Sequence, residues 1–205
     1  MAFWRTQVVP RMVEVGLSLK STAEARTRVC AGLSGTVLEV GFGSGLNTTF
    51  YPSAVTEVLA VEPSDVAWQR AAQRVEACPV PVRRVGLDGQ ALPLPDDSVD
   101  CALSTWTLCT IPDVAQALAE VQRVLRPGGT LHFVEHGRAP SEGVEKWQHR
   151  FEPVQKRMAG GCHLARPIDE LLVEAGYEIV TLDRYYAPKE PKAWAATYEG
   201  VSRPR

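Results

Sequence analysis

Residues 36–40 (TVLEV), followed at once by Gly41-Phe42-Gly43-Ser44-Gly45, constrain the fold more than any other stretch of this chain. A short apolar run with β-branched residues reads as a buried strand. Three glycines at alternate positions then open a turn that a ligand can approach closely, because no Cβ stands in its way. Residues 46–50 are expected to begin a short helix, whose first N–H groups would face a negative or polar ligand.

The rest of the chain repeats the alternation of strand and helix. Residues 11–31 read as one helix leading to Gly32, with Leu17, Leu19 and Val29 among its apolar positions. Residues 58–61 (VLAV) form a second strand, and Ser64 caps a helix that runs to about Val75. Residues 82–85 and 99–104 are the third and fourth strands. Asp113 opens an amphipathic helix with Val114, Leu118, Val121 and Leu125 on one face, stopped by Pro127-Gly128-Gly129. Residues 130–135 (TLHFVE) are the fifth strand. Within it His132 points away from Phe133 and is expected to be a packing residue. Residues 137–166 are polar and interrupted, and read as an insertion over the strand ends. Residues 167–175 form a short helix with Pro167 in its first turn and Gly176 just beyond its end. Residues 178–182 and 194–198 are the two closing strands. The whole predicts an α/β fold with a mostly parallel seven-stranded sheet and helices on both faces, in a single domain spanning residues 1–205.

Composition excludes several functions. A net charge of −2, with Lys and Arg scattered, gives no electrostatic footprint for nucleic acid. No window approaches the ~20 apolar residues that cross a bilayer, and no signal peptide is recognised. Phe3 and Trp4 could touch a membrane surface, but Pro10 and the shortness of the segment favour a flap over the site. The five cysteines (Cys30, Cys78, Cys101, Cys109 and Cys162) are odd in number, and no pair is spaced as CxxC. The pattern suits reduced thiols in a cytoplasmic protein, with neither a disulfide framework nor a metal site.

The glycine spacing is G-x-G-x-G, shorter than the G-x-G-x-x-G of a dinucleotide-binding turn. Glu62 ends the second strand about 20 residues on, where a carboxylate accepts hydrogen bonds from ribose hydroxyls. Together they predict a nucleoside held across the sheet's crevice. An NAD-dependent oxidoreductase is the competing enzyme class, against which the short glycine spacing counts. A non-catalytic nucleoside-binding module is the third reading.

The string VLEVGFGSG, then Val61-Glu62-Pro63, then Leu87-Asp88-Gly89-Gln90-Ala91-Leu92-Pro93, then Arg123-Val124-Leu125-Arg126-Pro127-Gly128-Gly129, resembles the class I methyltransferases. Within them it is similar to the group of ubiquinone/menaquinone C-methyltransferases. The resemblance implies S-adenosylmethionine as cofactor. It places Glu39, Gly41, Gly43 and Gly45 around the methionine part, Glu62 at the ribose, and Asp88 with Gly89 against the adenine, with Pro63 also among the cofactor-binding residues. A sulfonium with an amino acid tail and no phosphate is compatible with Glu39, which would be awkward beside a pyrophosphate. Ser104 and Thr105, after the fourth strand, are expected to meet the methionine end. Asn47 either donates to its carboxylate or caps the following helix.

Trp106-Thr107-Leu108-Cys109, Phe133-Val134-Glu135-His136 and Gly161-Cys162-His163-Leu164-Ala165-Arg166-Pro167 resemble a subgroup with two branches. These are the membrane-anchored alkyl thiol methyltransferases and the bacterial phosphatidylethanolamine N-methyltransferase-like proteins. The expected activity is methyl transfer to a small apolar acceptor, with a thiol or lipid-like amine favoured and a quinone-type C- or O-acceptor as alternative. His136, at the carboxyl edge of the sheet, is the candidate base; the other reading is a histidine that closes its loop through the backbone. Trp106, Cys162 and His163 are candidate acceptor-binding residues, and Trp147 a candidate pocket wall. Nothing in the sequence separates a monomer from a homodimer.

Overall fold

The computed structural model describes residues 8–18, 20–188 and 190–205. Seven strands form one sheet: β1 (Gly35–Val40), β2 (Val55–Val61), β3 (Val82–Gly86), β4 (Val99–Thr105), β5 (Leu125–His136), β6 (Tyr177–Tyr186) and β7 (Ala196–Pro204). Their order across the sheet is β3-β2-β1-β4-β5-β7-β6. The β1–β2, β1–β4, β2–β3 and β4–β5 pairs are parallel. Strand β7 runs antiparallel to both β5 and β6. The sequence in the chain moves outward from β1 through β2 to β3, then returns to add β4 on the other side. The loops leaving β1 and β4 therefore diverge, and a crevice opens between them at the strands' carboxyl ends.

Alternation along the strands sends side chains to two cores. Leu38 and Val40 of β1, Ala102 of β4 and Phe133 of β5 share one apolar cluster with Val114, Leu118 and Val121 of α4 (Val114–Val124) and Ile168 and Leu172 of α6 (Ile168–Glu174). Val37, Cys101, Leu103 and Val134 share another with Ala25, Val29 and Cys30 of α2 (Lys20–Cys30). Period-two alternation on central strands with apolar residues in both phases is what a sheet covered on both faces requires.

Several boundaries differ from the sequence expectation. The predicted helix over residues 11–31 is two helices, α1 (Val9–Leu17) and α2. Ser18 ends the first, its hydroxyl donating to the Glu14 carbonyl in competition with the helical backbone. Residues 46–50 form no helix. Hydrogen bonds Gly45 N–H to Phe42 C=O, Thr48 N–H to Gly45 C=O and Phe50 N–H to Asn47 C=O make successive turns instead. Gly45 sits at φ 76°, and the Asn47 and Thr48 side chains are committed to other bonds, so no helical ladder starts. Ser64 and Asp113 do cap α3 (Asp65–Glu76) and α4, accepting from the Ala67 and Gln116 N–H groups. Strand β5 begins at Leu125, before the Pro-Gly-Gly triplet, which its ladder absorbs as an irregularity between the Val99 and Cys101 pairings. Strands β6 and β7 are each longer than expected, because they pair with one another over their whole length. Trp194 lies outside them in α7 (Lys192–Ala195).

The polar stretch 137–166 is mostly one helix, α5 (Glu142–Met158), which accommodates Pro153 in its interior. Trp147 stacks on Phe151 and is 54% exposed, at the surface of the helix. His132 is the packing residue expected: its Nδ1 lies 3.0 Å from the Val29 carbonyl of α2. Phe3 and Trp4 lie outside the described residues. Among the described residues no helix is long and apolar enough to cross a membrane.

Because α4 seals one face of the sheet, Leu118→Ala should cost about 2–5 kcal/mol in urea unfolding at unchanged m-value. Val180→Ala, at a half-exposed position on β6, should stay within about 0.5 kcal/mol of the parent.

Candidate active site

Two cavities meet above the carboxyl ends of β1, β4 and β5. The smaller, of about 290 Å³, is lined by the Gly41–Ser44 turn, Glu62, Pro63, Ala67, Arg26, Thr105 and Trp106, among others. The larger, of about 700 Å³, is mostly apolar, with Leu17, Ala25, Trp106, Cys109, His136, Cys162 and Trp194 in its wall. Leu17, Trp106, Thr110 and Ala159 line both. Trp106 adopts φ 52°, a left-handed conformation that a bulky side chain takes only when its surroundings enforce it. Its N–H donates to the Val134 carbonyl at 2.7 Å, and the Arg26 guanidinium lies 4.9 Å from its ring centre.

The three glycines of the turn serve different ends. A Cβ on Gly41 would strike Thr107, and one on Gly45 would press on Phe42 and Ala71. A Cβ on Gly43 would meet only the Gly41 carbonyl, at 4.0 Å, so its open side belongs to the cavity. All three have positive φ. The Glu62 carboxylate is buried and accepts the Gly43 and Ser64 N–H groups, each at 2.7 Å. It braces the glycine turn and lines the smaller cavity at once. Burial raises its pKa, against the lowering effect of those two bonds and of Arg84.

Glu39, Asn47 and Ser104 lie beneath the cavity and do not line it. The Glu39 carboxylate accepts from Asn47 Nδ2 at 2.9 Å and from the Tyr51 hydroxyl. Asn47 also donates to Thr105 Oγ1 at 3.1 Å and accepts from Arg26. Asn47 is thus neither a cap nor a wall residue but the hub of a buried network. Arg26, from α2, reaches this network and the cavity together; sequence reading missed it, since nothing local marks an arginine on an otherwise polar helix. Its Nε has no hydrogen-bond partner among the described residues, which leaves one buried donor for a polar ligand. Asp88 and Gly89 also stand off the cavity. Asp88 is exposed and accepts from the Gln90 backbone and side chain in a local turn, while Gly89 packs against Val40.

At the floor of the larger cavity three polar side chains converge. The Cys162 and Cys109 sulfurs are 3.7 Å apart, and Cys162 Sγ lies 3.9 Å from His136 Nδ1. The cluster was invisible to spacing because its members come from the loop after β4, the end of β5 and the turn after α5. His163 does not join it: its Nδ1 pairs with Glu152 at 3.1 Å, outside both cavities. The Cys109 hydrogen bond holds the Cys162 thiol well below its ordinary pKa, aided by His136, and Cys109 is raised in return. Burial alone would lower His136, but the Cys162 sulfur outweighs it and raises the imidazole.

The loop carrying Trp106 to Ile111 is held by two buried charges. Glu135 accepts from Ser104 Oγ at 2.6 Å and from the N–H groups of Thr107, Leu108 and Cys109 at 3.0–3.2 Å. Arg166 donates to the carbonyls of Leu108 and Ile111.

Burial pushes the Glu39 carboxyl up to about 7 from 4.5, although the Tyr51 and Asn47 bonds and Arg26 act the other way. A raised carboxyl binds its proton more tightly folded than unfolded, so its contribution to stability falls as pH rises from about 4.5 to about 7. Compared with Glu39→Gln, the ligand-free parent should lose an additional ~2 kcal/mol of unfolding free energy between pH 5 and pH 8. Parallel slopes would show that the carboxyl is not displaced.

A sequence profile described as a methyltransferase domain matches residues 38–133. A phosphatidylethanolamine N-methyltransferase of Cereibacter sphaeroides is 31% identical over 169 residues, covering 78% of this chain and 80% of that protein. Thiol S-methyltransferases of Rattus norvegicus and Homo sapiens are each 34% identical, over 72% and 77% of this chain. The matched region spans 62% and 66% of those two proteins' own lengths, less than two thirds. In fold, the chain is similar to an S-adenosylmethionine-dependent methyltransferase from Thermotoga maritima. That likeness has a TM-score of 0.67 and 21% identity, and covers 98% of this chain and 96% of the other. The relative from Cereibacter sphaeroides, the domain profile and the seven-stranded sheet converge on one conclusion: the chain belongs to the class I S-adenosylmethionine-dependent methyltransferases.

Proposed function

We propose that this chain transfers a methyl group from S-adenosylmethionine to a small, apolar acceptor, with a thiol as the favoured acceptor. The observation that carries this reading is the contact between two cavities of different character, a polar crevice around Gly43 and Glu62 and an apolar chamber with a sulfur-rich floor. The crevice fits the cofactor: Gly43 leaves room for close approach, Glu62 offers acceptor oxygens for ribose hydroxyls, and Arg26 and Thr105 offer donors for an amino acid carboxylate. The cofactor supplies a methyl group already activated on a sulfonium. The protein's task is then to align the acceptor and exclude water, and alignment alone can supply much of the acceleration.

Trp106 stands at the junction, so its enforced conformation sets the aperture between donor and acceptor. His136, with the two sulfurs, marks where the acceptor's reacting atom sits in this mostly apolar chamber. The thiol S-methyltransferases among the relatives support a thiol there. A lipophilic amine is the second reading, supported by Glu24, Asp183 and Glu190 in the chamber wall and by the Cereibacter sphaeroides relative.

Calorimetry with S-adenosylhomocysteine should show Glu62→Ala binding about 10–100-fold more weakly, from lost charge-assisted hydrogen bonds. Gly43→Val should weaken binding at least as much, by filling the crevice. Undiminished affinity in both variants would put the nucleoside elsewhere. With radiolabelled methyl donor and a panel of alkyl thiols and amines, thiols should be methylated. His136→Gln should cut thiol kcat/KM about 10-fold or more while S-adenosylhomocysteine affinity stays within about 2-fold. Turnover of amines alone would transfer the assignment to the second reading.

A further inference from the structure

We infer that Cys109, His136 and Cys162 form a binding site for one thiophilic divalent cation of the zinc class, with a fourth coordination position open to the large chamber. One donor atom from each residue lies within 4.8 Å of the other two. Tetrahedral zinc, with bonds of about 2.3 Å to sulfur and about 2.0 Å to nitrogen, requires sulfurs ~3.8 Å apart and sulfur–nitrogen separations of ~3.6 Å. The observed 3.7 Å and 3.9 Å differ from these by a few tenths of an ångström. Two sulfurs and one imidazole select a soft or borderline cation over magnesium or calcium.

The three donors are held independently of any ion. Cys109 is fixed by its N–H bond to Glu135, and its carbonyl accepts the His163 N–H at 2.8 Å, which ties the two cysteine loops together. His136 ends β5, where pairing with Thr197 of β7 sets its backbone. Such preset donors suit a site in which outer contacts orient the ligands. Charge also balances. On binding, two protons leave the Cys109–His136–Cys162 cluster for solvent; one dication with two thiolates and a neutral imidazole is neutral, as a site beside an apolar chamber requires.

Three protein ligands with a fourth position free is the pattern of zinc sites that act on a substrate. All three residues line the chamber, so the free position faces the acceptor. Resting on the proposed thiol reading, the acceptor's thiol would release its proton to solvent, and its sulfur would bond the ion at that position as a thiolate.

The test uses the whole chain, reduced with a phosphine, incubated with Zn²⁺ or Co²⁺ and desalted. One zinc per chain should be retained by elemental analysis. The Co²⁺ form should show the thiolate charge-transfer band and intense visible bands of a tetrahedral sulfur site. Cys109→Ser, Cys162→Ser and His136→Ala should each weaken retention ~100-fold or more in competition with a chromophoric chelator. Cys78→Ser, remote from the cluster, should retain the ion. Binding of S-adenosylhomocysteine by each variant establishes that it is folded. Absence of zinc from the reduced parent, or equal retention by the parent and folded ligand variants, overturns the site. Adding an alkyl thiol should change the visible Co²⁺ spectrum. An unchanged spectrum, together with thiol methylation by metal-free protein at the same rate, overturns acceptor coordination while leaving the methyltransferase reading intact.

Discussion

The architecture of the site depends on a buried carboxylate. Glu135 is completely enclosed, and a charge in that position is tolerable only if its oxygens are saturated with donors. Four are supplied, three of them consecutive backbone N–H groups of the loop after β4. The same loop surrenders two carbonyls to Arg166. Irregular backbone at the end of a parallel strand is thereby given the hydrogen bonds that secondary structure would otherwise provide. Trp106 keeps its strained backbone and Cys109 its position because this clamp leaves the loop no alternative.

A second acidic residue does comparable work one strand away. Glu62 takes the N–H groups of Gly43 and Ser64, so the turn after β1 and the cap of α3 are referred to one carboxylate. Glu39, beneath them, is part of a network with Asn47, Tyr51 and, through Asn47, Arg26. The crevice is consequently a polar shelf already cross-linked by hydrogen bonds without a ligand, and preorganisation of that kind reduces the ordering cost of binding. The adjoining chamber has the opposite character. Its wall is mostly apolar, and Cys109, His136 and Cys162 cluster in it alongside charged residues such as Glu24, Arg28, Asp183 and Arg184.

Much of the fold was legible because hydrophobic period and turn chemistry agreed. The strand 36–40, the caps at Ser64 and Asp113 and the apolar face of α4 are local patterns, and local patterns survive into the structure. Residues 46–50 misled because a strand followed by glycines ordinarily leads into a helix, whereas here Asn47 and Thr48 spend their side chains on the network and the backbone. The helix in 142–158 was hidden by Pro153 and by a polar composition with little core-facing signal. Asp88 and His163 looked like site residues by motif, yet each satisfies itself nearby, with Gln90 and Glu152.

The sequence by itself determined the order of the seven strands along the chain, the glycine turn after β1, and the acidic residue that follows β2, because these depend on contacts within a few residues or on backbone freedom. Tertiary structure alone decided that Arg26 enters the crevice from α2, that Trp106 stands between two cavities, and that two cysteines 53 positions apart meet one histidine. Those arrangements depend on how separate loops are brought to one edge of the sheet, and no spacing along the chain records which loops will share an edge.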